Sequence, residues 1–99
     1  MTEPIIIEHD EAHHRYQAVI AGEVAGTAHY RVREQKIFWH TEVKPEFEGQ
    51  GIGSALAKGV FEDLHARGEK AVIECPFLTA FLKRHPEYAD LALPANPST

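Results

Sequence analysis

The chain has very little cysteine and no long apolar segment. Cys75 is the single cysteine, so an intramolecular disulfide is impossible, as is typical of proteins of the reducing cytosol. No apolar run approaches the roughly 20 residues that a membrane-spanning helix needs. Residues 1–4, Met-Thr-Glu-Pro, are too polar for a secretory signal. We therefore expect a cytoplasmic protein that does not bind membranes.

Positive charge is also scarce. Ten Lys and Arg stand against fifteen Asp and Glu, giving a net charge of -5 with the seven histidines neutral. This balance argues against a general nucleic-acid partner or an anionic membrane. A composition of 43% hydrophobic and 25% charged residues is typical of a globular domain. We predict one domain over residues 1–93 and a disordered tail over residues 94–99.

Four short segments in the first half of the chain predict β-strands. They are rich in β-branched residues or alternate apolar with polar residues. In the third segment we expect Val24, Ala28, Tyr30 and Val32 to share one face, and Gly26 indicates a bulge or a close backbone approach. Short connections predict an antiparallel meander. The predicted strands cover residues 5–9, 15–20, 24–33 and 37–43.

The pattern changes to helical spacing after residue 51. Apolar residues recur every four positions and predict an amphipathic helix that ends near Gly68: Ile52, Leu56, Val60 and Leu64. Residues 71–73 are a short apolar run and predict a fifth strand. Because a helix connects the fourth and fifth strands, these should lie parallel. Pro76 suits the first turn of a second helix that ends near Arg84.

A glycine-rich loop joins the fourth strand to the first helix. Gly49, Gly51 and Gly53 let the backbone approach a ligand closely. A helix that begins there offers unpaired N–H groups and the positive end of its dipole to an anion. Ser54 occupies a position where a dinucleotide fingerprint needs glycine, and no Walker lysine follows. We interpret the loop as a pyrophosphate site; the alternative is a strand-to-helix turn without a ligand.

This loop resembles the acetyl-coenzyme A loop of the GNAT superfamily of N-acetyltransferases, whose signature is Arg/Gln-x-x-Gly-x-Gly/Ala. Gly51 and Gly53 take the two small positions, whereas Glu48 stands where Arg or Gln is usual. A carboxylate there repels a pyrophosphate unless it points away. Three further blocks resemble the minimal single-domain members of the superfamily, which lack its long N-terminal helical segment: His40-Thr41-Glu42-Val43, Glu74-Cys75-Pro76-Phe77 and His85-Pro86-Glu87-Tyr88.

The resemblance implies an α+β fold with the order β-β-β-β-α-β-α. It also implies an acetyl-coenzyme A-dependent N-acetyltransferase that acts on an amine and needs no metal. In this superfamily the fourth and fifth strands splay apart and hold the pantetheine arm. Carried over to this chain, the cofactor-binding residues are Thr41, Glu42 and Val43 for the pantetheine and Glu48, Gly49, Gln50, Gly51, Ile52, Gly53 and Ser54 for the pyrophosphate.

Cys75 and His40 are the candidate catalytic residues. Cys75 precedes Pro76, where the N-terminus of the second helix favours a thiolate. It would accept the acetyl group transiently or protonate the departing coenzyme A thiolate. His40 is predicted to share a face with Phe38, opposite Trp39, and would act as a base. The alternatives are a cysteine that only packs and a strand histidine satisfied by one hydrogen bond.

Other readings of the sequence remain open. The chain could be a sensor that binds coenzyme A or acyl-coenzyme A with little transferase activity, or a protein-interaction domain with a vestigial loop. The cluster of His9, Asp10, Glu11, His13 and His14 matches no standard metal-site spacing. The 3′-phosphate of coenzyme A would be contacted by one of three residues near the end of the second helix: Lys83, Arg84 or His85.

Overall fold

The computed structural model describes residues 3–93, and the tail predicted over residues 94–99 lies outside them. It is a mixed α+β fold built on a single twisted sheet. Three short 3-10 turns interrupt the connections, at Glu11–His13, Pro45–Phe47 and Pro86–Leu91. The main elements follow in the order β1 (Ile6–Asp10), β2 (Arg15–Ile20), β3 (Glu23–Val32), β4 (Lys36–Val43), α1 (Ile52–Arg67), β5 (Ala71–Ile73), α2 (Pro76–Arg84) and β6 (Ala92–Leu93).

The sheet has the strand order β1-β2-β3-β4-β5-β6. The first four strands are antiparallel neighbours, and β5 lies parallel to β4, so the predicted meander and crossover are confirmed. The sequence analysis missed β6, which lies parallel to β5. Two residues carry no alternation pattern, so only the return of the chain to the sheet after α2 makes them a strand.

Both helices pack on one face of the sheet, which we call the inner face; the opposite one is the outer face. Gly51 and Gly68 bound α1 and have φ angles of 76° and 68°, which an L side chain adopts only with strain. The Phe61 ring of α1 stacks on the Phe81 ring of α2 with centroids 5.9 Å apart. The core consists of strand and helix residues such as Tyr16, Ala18, Ala28, Phe38, Leu56, Val60, Leu64 and Leu78.

Two β-bulges shift which residues face the helices. Between β2 and β3 the register passes from Ala18–Gly26 to Val19–Val24, which leaves Ala25 extra. Val24 therefore pairs with Val19 on the outer face, and our prediction that it shares a face with Ala28 and Tyr30 is wrong. The expected close approach at Gly26 is confirmed, because a Cβ there would lie 3.0 Å from the Glu42 carbonyl oxygen.

The second bulge lies between β3 and β4. Tyr30 pairs with Phe38, but the next residue back, His29, pairs with His40, so Trp39 is the extra residue. Phe38 is fully buried on the inner face, whereas Trp39 and His40 are both exposed. A bulge interrupts the alternation of a strand, and here it turns two consecutive side chains to the outer face.

A partly exposed polar network links the C-terminal half of α1 to the buried tyrosines of the sheet. Tyr16 donates a hydrogen bond to Asp63, and His9 Nε2 lies 2.6 Å from the Tyr30 hydroxyl. Arg67 donates to His9 Nδ1 at 3.0 Å and also pairs with Asp63 at 2.8 Å. Burial raises the pKa of Tyr30 to about 12 and lowers the pKa of His9, with the neighbouring Arg67 cation adding to the second shift.

Candidate active site

The parallel strands β4 and β5 pair only at their beginning. The pairs run from Lys36–Ala71 to Phe38–Ile73. Beyond them the Glu74 and Cys75 amides both donate to the Phe38 carbonyl, at 2.9 and 3.0 Å, and the chain then turns into α2. β4 continues to Val43 with only β3 as its partner in the described part of the chain. The edge of β4 that faces β5 is therefore free for a ligand over residues 39–43.

Cys75 lies at the inner side of this opening. It is the N-cap of α2 and is only 2% exposed. Its thiol donates a hydrogen bond to Thr41 Oγ1 at 3.3 Å. Thr41 pairs with Ala28, so it faces inward. From the sequence, Thr41 was expected to contribute only its backbone to cofactor binding. Its side chain contacts a residue 34 positions further along the chain, and no local pattern predicts such a contact.

The glycine loop leads directly into α1. Gly49 and Gly51 have φ angles of 83° and 76° and an exposed backbone. The first hydrogen bond of the helix runs from the Ala55 amide to the Gly51 carbonyl at 3.0 Å. The amides of Ile52, Gly53 and Ser54 precede it and have no helical acceptor, so they point toward the N-terminal end of α1.

A shallow cavity of about 220 Å³ opens at this helix end. Its wall includes Val43 at the end of β4, Phe47, the glycine loop and Phe77 of α2. Gly53 packs so closely on Phe77 that a Cβ would lie 2.6 Å from its Cζ. The exposed carboxylate of Glu48 also lines the cavity, as its place in the loop predicts. Gln50 is exposed on the same loop.

A second cavity, of about 450 Å³, begins at Ser54 and extends between α1 and α2. Lys58 lies on one side, and His85 lies on the other with its ring stacked on Phe81 at 4.2 Å. Of the three residues considered for a 3′-phosphate, His85 lines this cavity. Lys83, which precedes His85 in the last turn of α2, is exposed. Ser54 lines both cavities, so they lie next to each other at the start of α1.

His40 does not lie where the sequence analysis expected it. We predicted that it shares a face with Phe38, opposite Trp39, and this is wrong because of the bulge at Trp39. The rings of His40 and Trp39 instead lie side by side on the outer face, with centroids 5.5 Å apart. His40 and Cys75 consequently lie on opposite faces of the sheet, and they form no Cys–His pair.

His40 belongs to a group of side chains that we call the outer-face cluster: His29, Trp39, His40 and Glu42. The Nε2 atom of His40 lies 3.1 Å from Glu42 Oε1, and that of His29 lies 3.9 Å from Glu42 Oε2. The pKa of His29 is lowered, chiefly by burial, although Glu42 acts in the opposite direction. Regular pairing, counted from the β3–β4 turn, would make Trp39 and not His40 the partner of His29. The sequence pattern therefore did not predict this cluster.

Residues 3–93 contain no group of three or more His, Cys, Asp and Glu arranged to hold a metal ion. In the histidine-rich turn, His13 Nδ1 is paired with Asp10 at 2.9 Å. Neither described helix combines the length and the apolar character that crossing a membrane would require.

Comparison with protein families gives a match over most of the chain. A family model described as GCN5-related N-acetyl-transferase matches residues 15–91. The matched range contains β2 to β5, the glycine loop and both α-helices. None of the curated proteins matches the chain.

Solved structures share the fold at low sequence identity. A GCN5-like protein from Staphylococcus aureus superposes with a TM-score of 0.65 at 24% identity, over 94% of this chain and 92% of that one. A ribosomal-protein-alanine N-acetyltransferase from Brucella melitensis biovar Abortus 2308 gives 0.57 at 16% identity, over 100% of this chain and 96% of that one. The ribosomal-protein-S18-alanine N-acetyltransferase from Escherichia coli gives 0.53 at 24% identity, over 60% and 39%.

Proposed function

Because the chain belongs to the GCN5-related N-acetyltransferase family and is thus an N-acetyltransferase, we propose that acetyl-coenzyme A is its acetyl donor and an amine its acceptor. The observation that carries this proposal is the free edge of β4 beside the exposed N-terminus of α1. A strand edge suits an extended amide-bearing arm, and a helix N-terminus suits a pyrophosphate. These two features lie side by side at Val43, which lines the cavity at the start of α1.

The donor would lie across three parts of the site. The β4 backbone at Thr41, Glu42 and Val43 would hydrogen-bond the two amides of the pantetheine arm, as an added strand does. The amides between Gly49 and Ser54 would bind the pyrophosphate, together with the Gln50 side chain. The cavity between α1 and α2 would receive the adenosine, where Lys58 and His85 offer charge and hydrogen bonds to a 3′-phosphate.

Cys75 is proposed as the proton donor in acetyl transfer. As the amine attacks the carbonyl carbon, a C–N bond forms and the C–S bond breaks, and Cys75 gives its proton to the leaving thiolate and regains one from solvent. Its Sγ lies 3.3 Å from Thr41 Oγ1, on the inner side of the free β4 edge. The alternative is an acetyl-cysteine intermediate. Both roles require the thioester to contact a thiol that is only 2% exposed, so burial does not distinguish between them.

Calorimetric titration with acetyl-coenzyme A tests the proposed donor. We expect saturable heat with micromolar affinity, which the variant Gly51→Ala abolishes because a Cβ strains the φ of 76° that holds the loop open. Gly22→Ala is the matched control. Gly22 has a φ of 81° and equally open surroundings, but it lies in the β2–β3 turn and does not line the cavity. Absence of heat at high micromolar ligand with the parent protein would contradict the proposal.

A second candidate function is a coenzyme A-binding sensor with little turnover. Glu48 bears on both candidates alike, because a carboxylate at the proposed pyrophosphate site weakens binding of coenzyme A and of acetyl-coenzyme A. The outer face favours the sensor, because both described helices pack on the inner face and, within residues 3–93, no helix covers an acceptor on the outer one. Binding of coenzyme A without acetylation of any member of a broad amine panel would support the sensor over the transferase.

A further inference from the structure

The outer-face cluster contains a carboxylate held between two imidazoles. One oxygen of Glu42 accepts from His40 Nε2 at 3.1 Å, and the other lies 3.9 Å from His29 Nε2. The Trp39 ring lies 5.5 Å from the His40 ring and 5.7 Å from the His29 ring. Trp39 directly follows the last residue of β4 that pairs with β5, so the cluster lies on the outer face beside the start of the free strand edge.

Glu42 differs from Asp10 and Glu74, two other carboxylates near this face, in what neutralises it; Glu8, which accepts from Gln17, resembles Glu42 in forming no ion pair with Lys or Arg within residues 3–93. Asp10 pairs with Arg15 at 3.3 Å, and Glu74 pairs with Arg31 at 3.0 Å, so each of those has a permanent cation. Within residues 3–93 the partners of Glu42 are the two imidazoles. Its charge is therefore available to a cationic ligand.

His29 does not supply that cation near neutral pH. Burial lowers its pKa most, Glu42 opposes the shift, and the Arg15 cation lowers the pKa further. His29 is thus the neutral neighbour that orients Glu42, and we treat it as a positioning residue.

The same contact determines which nitrogen of His40 is free. A carboxylate only accepts hydrogen bonds, so the hydrogen of the neutral imidazole lies on Nε2, which faces Glu42. Nδ1 then carries the lone pair. The His40 side chain is 47% exposed, so Nδ1 can accept a proton from a group arriving from solvent. This is the carboxylate–imidazole arrangement that general-base catalysis commonly uses.

We propose that the outer-face cluster binds and deprotonates the acceptor, a primary ammonium group on an alkyl stem; this rests on the proposed function. The ammonium would lie against the Glu42 carboxylate and the face of the exposed Trp39 ring, which attracts cations. His40 Nδ1 would take the proton. The acceptor would thus reach the thioester from the outer face, and Cys75 would act from the inner one.

The protons balance in this arrangement. The ammonium loses one proton to His40, which makes the amine nucleophilic, and His40 releases it to solvent after the transfer. The nitrogen loses a second proton when the amide forms. The leaving sulfur gains one proton from Cys75, and Cys75 is reprotonated by solvent, so one proton is released per turnover.

Amine binding can be tested without any acetyl donor. Titration of the ¹⁵N-labelled protein with n-butylammonium should shift the Trp39 indole and His40 imidazole signals, and Glu42→Gln should abolish these shifts. The matched control is Glu8→Gln, an exposed carboxylate elsewhere on the outer face that accepts from Gln17 at 3.0 Å. The ¹⁵N shifts of His40 should also report the Nε2–H tautomer, and His29→Gln should weaken that signature by loosening Glu42.

Steady-state kinetics then separates the roles and the source of the amine. Glu42→Gln should raise KM for the amine at least tenfold, and His40→Asn should lower kcat by about 10²-fold and remove the acid limb of the kcat/KM profile. A lysine-containing peptide and free spermidine carry the same alkylammonium. The one with the higher kcat/KM identifies the acceptor as protein-borne or free.

Two failures are distinguishable. If n-butylammonium perturbs the cluster but acetyl-coenzyme A gives no heat, the proposed function is wrong and the cation site stands. If acetyl-coenzyme A binds and Glu42→Gln turns over amines with the kinetics of Glu8→Gln, the assignment of the cluster is overturned.

Discussion

The thiol of Cys75 donates to the hydroxyl of Thr41 across the gap between β5 and β4, with 3.3 Å between Sγ and Oγ1. This contact closes the inner side of an opening whose backbone is already free of strand pairing. Cys75 is only 2% exposed, so its thiol lies beneath the opening and not at its surface.

Cys75→Ala should lower kcat about 10²-fold while leaving the acetyl-coenzyme A Kd unchanged. The substitution removes the proposed proton donor but no group that is proposed to bind acetyl-coenzyme A. Cys75→Ser should retain more activity than the alanine variant, since it keeps an O–H donor. Rapid-quench intact mass of the parent protein supplies the second readout. If acetylated protein forms with the parent protein but not with Cys75→Ala, Cys75 acts as a covalent acetyl acceptor and not as a proton donor. If both variants transfer acetyl groups at the native rate, Cys75 has no role in the mechanism.

Glu48→Gln should tighten acetyl-coenzyme A binding about two- to tenfold at low salt. The substitution removes a negative charge from the cavity wall where the pyrophosphate is proposed to bind, and ~1 kcal/mol is expected for charges a few ångströms apart in water. Calorimetry at two salt concentrations measures the change, which should shrink at high salt.

The control for that charge is Glu46→Gln, an exposed carboxylate in the preceding 3-10 turn that does not line the cavity. Equal effects of the two variants would indicate a general charge effect. Weaker binding in Glu48→Gln would mean that the carboxylate accepts a hydrogen bond from the ligand.

Gly53→Ala should weaken acetyl-coenzyme A binding about tenfold with a change in stability of no more than ~1 kcal/mol. The new Cβ would approach Phe77 Cζ to 2.6 Å, so the ring must move within the cavity wall. Because Phe77 is 36% exposed its ring can swing, and alanine has a higher helix propensity than glycine. The double variant Gly53→Ala/Phe77→Ala should recover the affinity lost in the single variant. Additive losses would instead place the effect in the backbone of the loop.

Folding stability should fall as the pH drops below about 6.5, and His9 should account for part of the fall. The pKa of His9 is lowered in the folded state, so the unfolded chain binds more protons over that range. The contribution is fully present above the unfolded pKa and is lost as the pH falls toward the folded one. Structurally, a proton on Nδ1 displaces the hydrogen bond from Arg67.

Urea denaturation at pH 7.5 and 5.5 measures this dependence. His9→Gln should flatten it, while His65→Gln, an exposed histidine of α1, should leave it as in the parent protein. Identical slopes in all three proteins would contradict the assignment to His9. The lowered pKa of His29 contributes in the same direction, so a residual slope is expected in His9→Gln.

Much of the architecture follows from local pattern. The fourfold apolar spacing from Ile52 and the glycine at 68 predicted α1, which spans Ile52–Arg67. The alternation in Tyr16, Ala18 and Ile20 predicted the buried face of β2. These features depend on residues that are close in the chain, so the periodicity of one element is enough to reveal them.

The sequence by itself determined the order of the elements, the glycine loop before α1 and the cysteine before α2. The tertiary structure decided which face each chemical group occupies. One extra residue at Trp39 moved His40 to the outer face beside His29 and Glu42, and the separation of β4 from β5 brought Thr41 to Cys75. Bulges and strand ends arise from pairing between distant segments, where a shift of one residue reverses the direction of a side chain, and no pattern within a single strand encodes that shift.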